Sequence, residues 1–402
     1  MVLKKVMLPE GVQDLLIDDC LYRRKIEGAL MDSFNASGYM EVSSPTLEYY
    51  DLFSYDYLSR YGEKMFKLID TKGSLLVLRP DCTIPIARMV ATKMKDFTYP
   101  LKLCYIEDVY RFDQEQSGKK REYRQAGVEL FGVDSYRADA EVIITAIESL
   151  KKLGLEDFII EIGQVKLLKN VIERLQIQVT EGERLLEALE NKNLLELGML
   201  LEGICIEDDL KLIINKIPKL YGRPQEVLQE LKELPLTADM LSAVEELELV
   251  FKVISSFGYS EYITFDLGMI SQLGYYTGII FKGYTKDLGE VLCSGGRYDK
   301  LLEDFGMKCP ATGFAFIINK ITKALKIQEK LNIERKKHYL IIDELQREER
   351  IAELMRELKA EDCIVELNLL TIPEELEAYC RRRQVDEIII INEDGSISTV
   401  TL

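Results

Sequence analysis

The chain has 402 residues and 47% hydrophobic content, enough for one large core or for two or three smaller ones. No stretch approaches the ~18 apolar residues of a membrane span, so a cytoplasmic protein without a membrane partner is expected. A formal net charge of -17 opposes a surface made to grip a polyanionic backbone, which disfavours nucleic acid as a partner.

Eight cysteines are scattered through the chain without a C-x-x-C pair, beside a single histidine, His338. This pattern speaks against a zinc site, a disulfide framework and imidazole-based catalysis, and no metal or cofactor is expected. Residues 18–38 read as an amphipathic helix, with Tyr22, Ile26, Leu30 and Phe34 on one face and Gly38 placed to end it. A strand ending near Pro45 follows. Next, MFKLID and LLVLRP flank the turn-like TKGS, and KLCYIEDVYRFD and EYRQAGVELFG flank the polar QEQSGKKR, which predicts two antiparallel hairpins.

Residues 137–155 return to helical periodicity, and a Leu-, Glu- and Lys-rich block from about 165 to 260 reads as a helical insertion. β character resumes over 261–320, and a helix is expected from Gly313 to about Lys326. The charged IERKK is the expected linker to a small α/β domain at 335–402, in which YLIID, CIVEL, DEIIII and SISTVTL alternate with helices. The domain boundaries are therefore placed at 1–325 and 335–402.

A set of ordered segments carries chemical meaning. LPEGVQD, GYMEVSSPTLE, LRPDCT, VYRFDQEQSGKKREYRQAGVELFG, LGYYTGIIF, SGGRYDKL and PATGFAF occur in the order and approximate spacing of histidyl-tRNA synthetase, which the chain resembles over roughly residues 8–325. The resemblance implies an α+β fold, the class II aminoacyl-tRNA synthetase-like core with an antiparallel sheet flanked by helices. GYMEVSSP resembles the first class II motif and implies self-association as a dimer. VYRF with REYRQ resembles the second, and PATGFAF the start of the third.

Arg111 offers a planar fork suited to a carboxylate or phosphate; a structural ion pair is the plainer alternative. Asp81 and Thr83 match family residues that meet an amino-acid ammonium, although the family usually has Glu where Asp81 stands. Gln125, Glu129, Tyr275 and Tyr276 match residues around the substrate, and the tyrosines and Glu129 can hydrogen-bond an imidazole. By themselves Tyr275 and Tyr276 would pass for ordinary strand aromatics, and Ser294, Gly295, Gly296 and Tyr298 for a tight strand entry. The resemblance instead makes the first set a histidine-binding site, with Ser271 and Tyr298 as possible additions.

The pattern also breaks. The family's Arg-Gly-Leu-Asp-Tyr-Tyr reads Ser271-Gln272-Leu273-Gly274-Tyr275-Tyr276 here, and its Glu-Arg at the end of the third motif reads Asn319-Lys320. Adenylate formation depends on preorganised cations at the α-phosphate, and losing one commonly costs roughly 10²–10³ in rate. Synthetase activity is therefore expected to be lost, with no catalytic residues of its own, while amino-acid binding persists.

The family with this pattern is the regulatory subunit of ATP phosphoribosyltransferase. That resemblance implies a short-form catalytic subunit as partner in a hetero-octamer, in the first step of histidine biosynthesis, with L-histidine as the inhibitory effector. A divergent histidyl-tRNA synthetase is the alternative. The second-motif loop, residues 114–121, is expected to order on histidine binding.

Overall fold

A computed structural model describes residues 6–53, 65–112, 120–175, 177, 179–190, 193–202, 207–269, 274–332, 335–343, 347–369 and 375–402. The chain divides into two compact units, one through Leu331 and the other from Asn332.

The first helix, Ile17–Ala36, carries Asp18 and Asp19 in its first turn, where acids suit the helix dipole. Its Ile26, Leu30 and Phe34, spaced four apart, are all buried. Gly38 at φ +82 donates its N–H to the Asn35 carbonyl and turns the chain away, a conformation in which any side chain would be strained.

The strands of this unit are β1 (Met40–Glu41), β2 (Leu47–Tyr49), β3 (Lys67–Ile69), β4 (Leu75–Leu78), β5 (Leu101–Tyr110), β6 (Glu122–Phe131), β7 (Phe158–Gln164), β8 (Tyr221–Gly222), β9 (Ile263–Asp266), β10 (Ile279–Thr285), β11 (Val291–Arg297) and β12 (Ala311–Ile317). β2, β4 and β3 form a three-stranded sheet, and the others form a nine-stranded sheet in the order β1-β5-β6-β12-β11-β10-β7-β9-β8. The expected hairpins are present, β3 with β4 and β5 with β6, both antiparallel. The tip of the second, residues 113–119, lies outside the described residues and takes most of the expected ordering loop with it.

The large sheet is covered on both faces, and the period of two along its central strands sorts its side chains. Cys104, Ala126, Val128 and Leu130 join the core under the helices Ile17–Ala36 and Tyr136–Lys152. Leu101, Leu103, Tyr105, Val109 and Phe131 point to the opposite core, beneath the helix Thr83–Lys93.

The expected helix from Gly313 is corrected: residues through Ile317 complete β12, and the helix spans only Ile318–Ile327. Phe314 and Phe316 alternate with small residues and bury against Phe34, and β12 is hydrogen-bonded between β6 and β11, so a strand satisfies both backbone and core there.

Between β7 and β9 the chain forms the helices Val165–Arg174, Val179–Glu190, Leu194–Glu202, Asp208–Lys216, Pro224–Lys232 and Ala238–Ser256, a helical block interrupted by the short β8. In the second unit, β14 (Ile364–Leu367), β13 (His338–Ile342) and β15 (Glu387–Ile391) run parallel, with β16 (Ile397–Thr401) antiparallel at the edge. The helices Glu348–Ala360 and Leu376–Arg383 supply the crossovers between the parallel strands.

Candidate functional site

The site begins with a buried ion pair. Arg79, just after β4, meets Glu107 of β5 at 2.7 Å, both side chains being 5% exposed. Glu107 also accepts from the Ser43 hydroxyl at 2.6 Å and the Ser44 N–H at 2.8 Å, and Arg79 donates to the Asp108 carbonyl at 2.8 Å. Three distant segments are thereby fixed together, and the turn that follows Arg79 carries Pro80, Asp81 and Thr83 to the sheet.

Asp81 is buried and accepts the Ile84 N–H at 2.9 Å, at the start of the helix Thr83–Lys93. Burial raises its pKa, opposed by that N–H, by the Arg111 charge and by a hydrogen bond from Tyr275. Arg111, one residue past β5, donates from Nε to the Pro80 carbonyl at 2.7 Å, so its fork is held against the Asp81 turn.

Glu129 of β6 is 1% exposed. Thr83 donates to its Oε1 at 2.7 Å and the Tyr298 hydroxyl to its Oε2. Burial pushes its pKa up to about 8, the two hydroxyls pull it back only in part, and the Asp81 charge adds to the rise. A carboxyl in this setting is mostly protonated at neutral pH.

Asp81, Thr83, Arg111, Gln125, Glu129, Tyr275 and Tyr276 all line one cavity, together with Tyr298, Ser294, Tyr105, Gly313, Phe314 and Ala315. The Tyr275 ring meets the Tyr298 ring edge-on, centroids 5.7 Å apart, and lies 4.8 Å from the Tyr276 ring. Ser271 falls outside the described residues. The cavity offers about 30 Å³ of room, space for roughly two waters.

Tyr105 and Gly313 were not legible as site residues. Tyr105 is fully buried opposite Gly127, and a Cβ at Gly127 would come within 2.5 Å of the Tyr105 hydroxyl. The available signal was a glycine inside a strand pattern, which often marks a close approach. Arg297 was also missed: it is 4% exposed and fixes the stretch before Tyr298 through both carboxylate oxygens of Asp139, at 3.0 and 3.1 Å.

Asn319 and Lys320, which stand where the expected third motif would end in Glu-Arg, both have partners in this fold. The Lys320 ammonium lies 3.6 Å from Glu290, and the Asn319 side chain accepts the Arg124 N–H at 2.9 Å. Chemically, the cavity combines an acid, a guanidinium and a hydroxyl-flanked carboxyl. That set suits a small zwitterion with a hydrogen-bonding side chain.

Comparison with known proteins agrees with this fold. A family model described as histidyl-tRNA synthetase matches residues 11–321. The ATP phosphoribosyltransferase regulatory subunit of Alkaliphilus metalliredigens is 56% identical over 98% of this chain and 100% of its own length. The protein of the same name from Clostridium novyi is 39% identical, over 96% of this chain and 92% of its own. A crystal structure described as an ATP phosphoribosyltransferase regulatory subunit/histidyl-tRNA synthetase from Bacillus halodurans C superposes with a TM-score of 0.84 at 32% identity, covering 96% of this chain and 98% of that one. Histidyl-tRNA synthetase from Nostoc sp. PCC 7120 shares the fold, with a TM-score of 0.80 at 20% identity over 98% and 97% of the two chains.

Proposed function

Because the chain belongs to the family of ATP phosphoribosyltransferase regulatory subunits built on the histidyl-tRNA synthetase fold, we propose that its cavity is the histidine sensor of that enzyme. The protein is a non-catalytic regulatory subunit in histidine biosynthesis and acts with the ATP phosphoribosyltransferase catalytic subunit.

What supports the sensor reading is that the residues expected to meet an amino acid share one cavity, while the pair standing where the family has its Glu-Arg has other partners. Asp81, Thr83, Arg111, Gln125, Glu129, Tyr275 and Tyr276 share the cavity, while Lys320 and Asn319 are committed to other partners. Asp81 takes the ammonium of L-histidine and Arg111 its carboxylate. Glu129 and the tyrosines meet the imidazole. Histidine then acts as feedback inhibitor by favouring one state of the complex, and a typical coupling of ~1–3 kcal/mol gives about 5–150-fold control.

We further propose a cytoplasmic hetero-octamer with a short-form catalytic subunit, in which this chain also pairs with its own kind. The outer face of the three-stranded sheet supports the pairing. By register Leu47 and Leu78 are neighbours there, as are Tyr49, Leu76 and Leu68, and Leu47, Tyr49 and Leu68 are exposed. A wholly apolar sheet face of this kind marks an association surface.

The test is calorimetric titration of the purified protein with L-histidine, alongside histidine-dependent ATP–pyrophosphate exchange in the same preparation. Saturable binding without exchange is expected. Robust exchange would make the protein a working synthetase, and absence of binding would remove the sensor reading.

A further inference from the structure

Among the described residues the cavity offers about 30 Å³, space for roughly two waters, so seating an amino acid there calls for part of its wall to yield. Most walls are fixed. Tyr105, Glu129, Ser294 and Gly313 sit on central strands paired on both sides, and Asp81 is anchored beside the buried Arg79–Glu107 pair. Tyr275 and Tyr276 lie on the segment before β10, outside any strand or helix.

Beyond the cavity, this tyrosine segment is fastened to the helical block. The Lys169 ammonium donates to the Tyr276 carbonyl at 2.8 Å, and the Val165 N–H donates to the Gly278 carbonyl at 3.0 Å. Both donors lie on the helix Val165–Arg174. The same helix is tied to the last helix of the block, Ala238–Ser256, where Lys166 meets Glu246 at 2.6 Å and Gln164 donates to the Ala243 carbonyl at 3.4 Å.

We propose that Lys169 is a positioning residue that transmits occupancy of the cavity, through the Tyr276 carbonyl, into the helical block, so that the block is the output element of the sensor. This rests on the histidine reading above. When the tyrosine wall shifts to admit the ligand, the Tyr276 carbonyl moves with it, and the helix Val165–Arg174 follows or loses its bond. Lys169 is partly buried, and burial together with the nearby Lys300 charge lowers its pKa, so an ammonium is maintained there against a cost that the carbonyl offsets. A solvated surface lysine carries no such cost.

The experiment is hydrogen exchange with and without L-histidine on the full chain, for wild type, Lys169→Met and Lys169→Arg, with calorimetry on the same samples and inhibition assays on the reconstituted complex. In the wild type, histidine should change protection in the helices Val165–Arg174 and Ala238–Ser256. Lys169→Met should bind histidine within about threefold of wild type, lose that change, and lose most of the 5–150-fold control expected of a coupled site. Lys169→Arg should restore both.

Lys169→Met with an unaltered exchange response and unaltered inhibition would overturn the proposal, as would a variant that no longer binds histidine, since Lys169 would then only build the pocket. Wild-type protein that fails to bind histidine would instead sink the sensor reading itself. Should Lys169→Met misfold, Val165→Pro removes the other donor at the first helical position, where proline is tolerated. It is expected to weaken the same exchange response, and an intact response would count against the proposal.

Discussion

Gly313 stands directly opposite Glu129 across the β12–β6 pair, and a Cβ at Gly313 would overlap the Glu129 Oε2 and the Val128 carbonyl. The missing side chain is what lets the Glu129 carboxyl lie flat on the sheet and meet both Thr83 and Tyr298. Gly313→Ala should therefore expel Glu129 from this position. The expected result is a urea midpoint lowered by an equivalent of about 1–3 kcal/mol, as for overpacked cores, together with loss of the calorimetric signal for histidine. An unchanged midpoint with unchanged binding would show that this close approach does not set the carboxyl's place.

Glu129 also gives a pH signature. Its carboxyl titrates near 8 in the folded protein against an ordinary 4.5, so between those values the folded state holds a proton that the unfolded chain has released. The stabilisation this provides is complete below about pH 4.5 and is lost as pH rises through 8. Glu129→Gln cannot titrate, so its stability relative to wild type should improve from pH 5 to pH 8.5, by at most about 1.4 kcal/mol per pH unit. Urea unfolding of both proteins at the two pH values measures this, and parallel pH profiles would refute it.

The contrast between Glu129 and Gly313 explains how far the sequence could be read. Asp81, Thr83, Arg111, Gln125, Glu129, Tyr275 and Tyr276 come together in one cavity, and they were legible because each sits in a short segment whose order along the chain carries the resemblance. Gly313, Tyr105, Lys169 and the Arg79–Glu107 and Arg297–Asp139 pairs were not. Their meaning depends on cross-strand register or on partners far apart in sequence, such as Arg297 and Asp139, separated by 158 positions. Periodicity within one segment does not carry that information. The helix expected at Gly313 failed similarly: the apolar run could not reveal that β12 lies between β6 and β11, with Phe314 and Phe316 alternating into the core that Phe34 joins.

Arg79 and Glu107 should be costly to separate. Both are buried at 2.7 Å, and removing one partner strands the other charge in the core beside Cys82. Glu107→Gln and Arg79→Met are each expected to cost about 3–5 kcal/mol by chemical denaturation, while the double variant should recover part of the loss. Additive losses in the double variant would mean that the two side chains act independently. Because the pair anchors the turn bearing Asp81, whichever single variant still folds should also bind histidine more weakly.

The outer face of the three-stranded sheet leads to a prediction about assembly. Glu48 and Val77 point inward and are buried, so their strand neighbours Leu47, Tyr49, Leu76 and Leu78 are forced outward by the period of two. Tyr49 is 62% exposed and Leu47 48%, side by side with Leu76 and Leu78 across the β2–β4 pair. If this face joins two copies, Tyr49→Lys combined with Leu47→Lys places like charges across a two-fold interface, where they repel and must be desolvated. Light scattering should then report the monomer mass in place of the dimer. Helical and sheet content by circular dichroism should hold, because both side chains leave the monomer's core untouched. A dimer that persists in the double variant would place the self-association surface elsewhere.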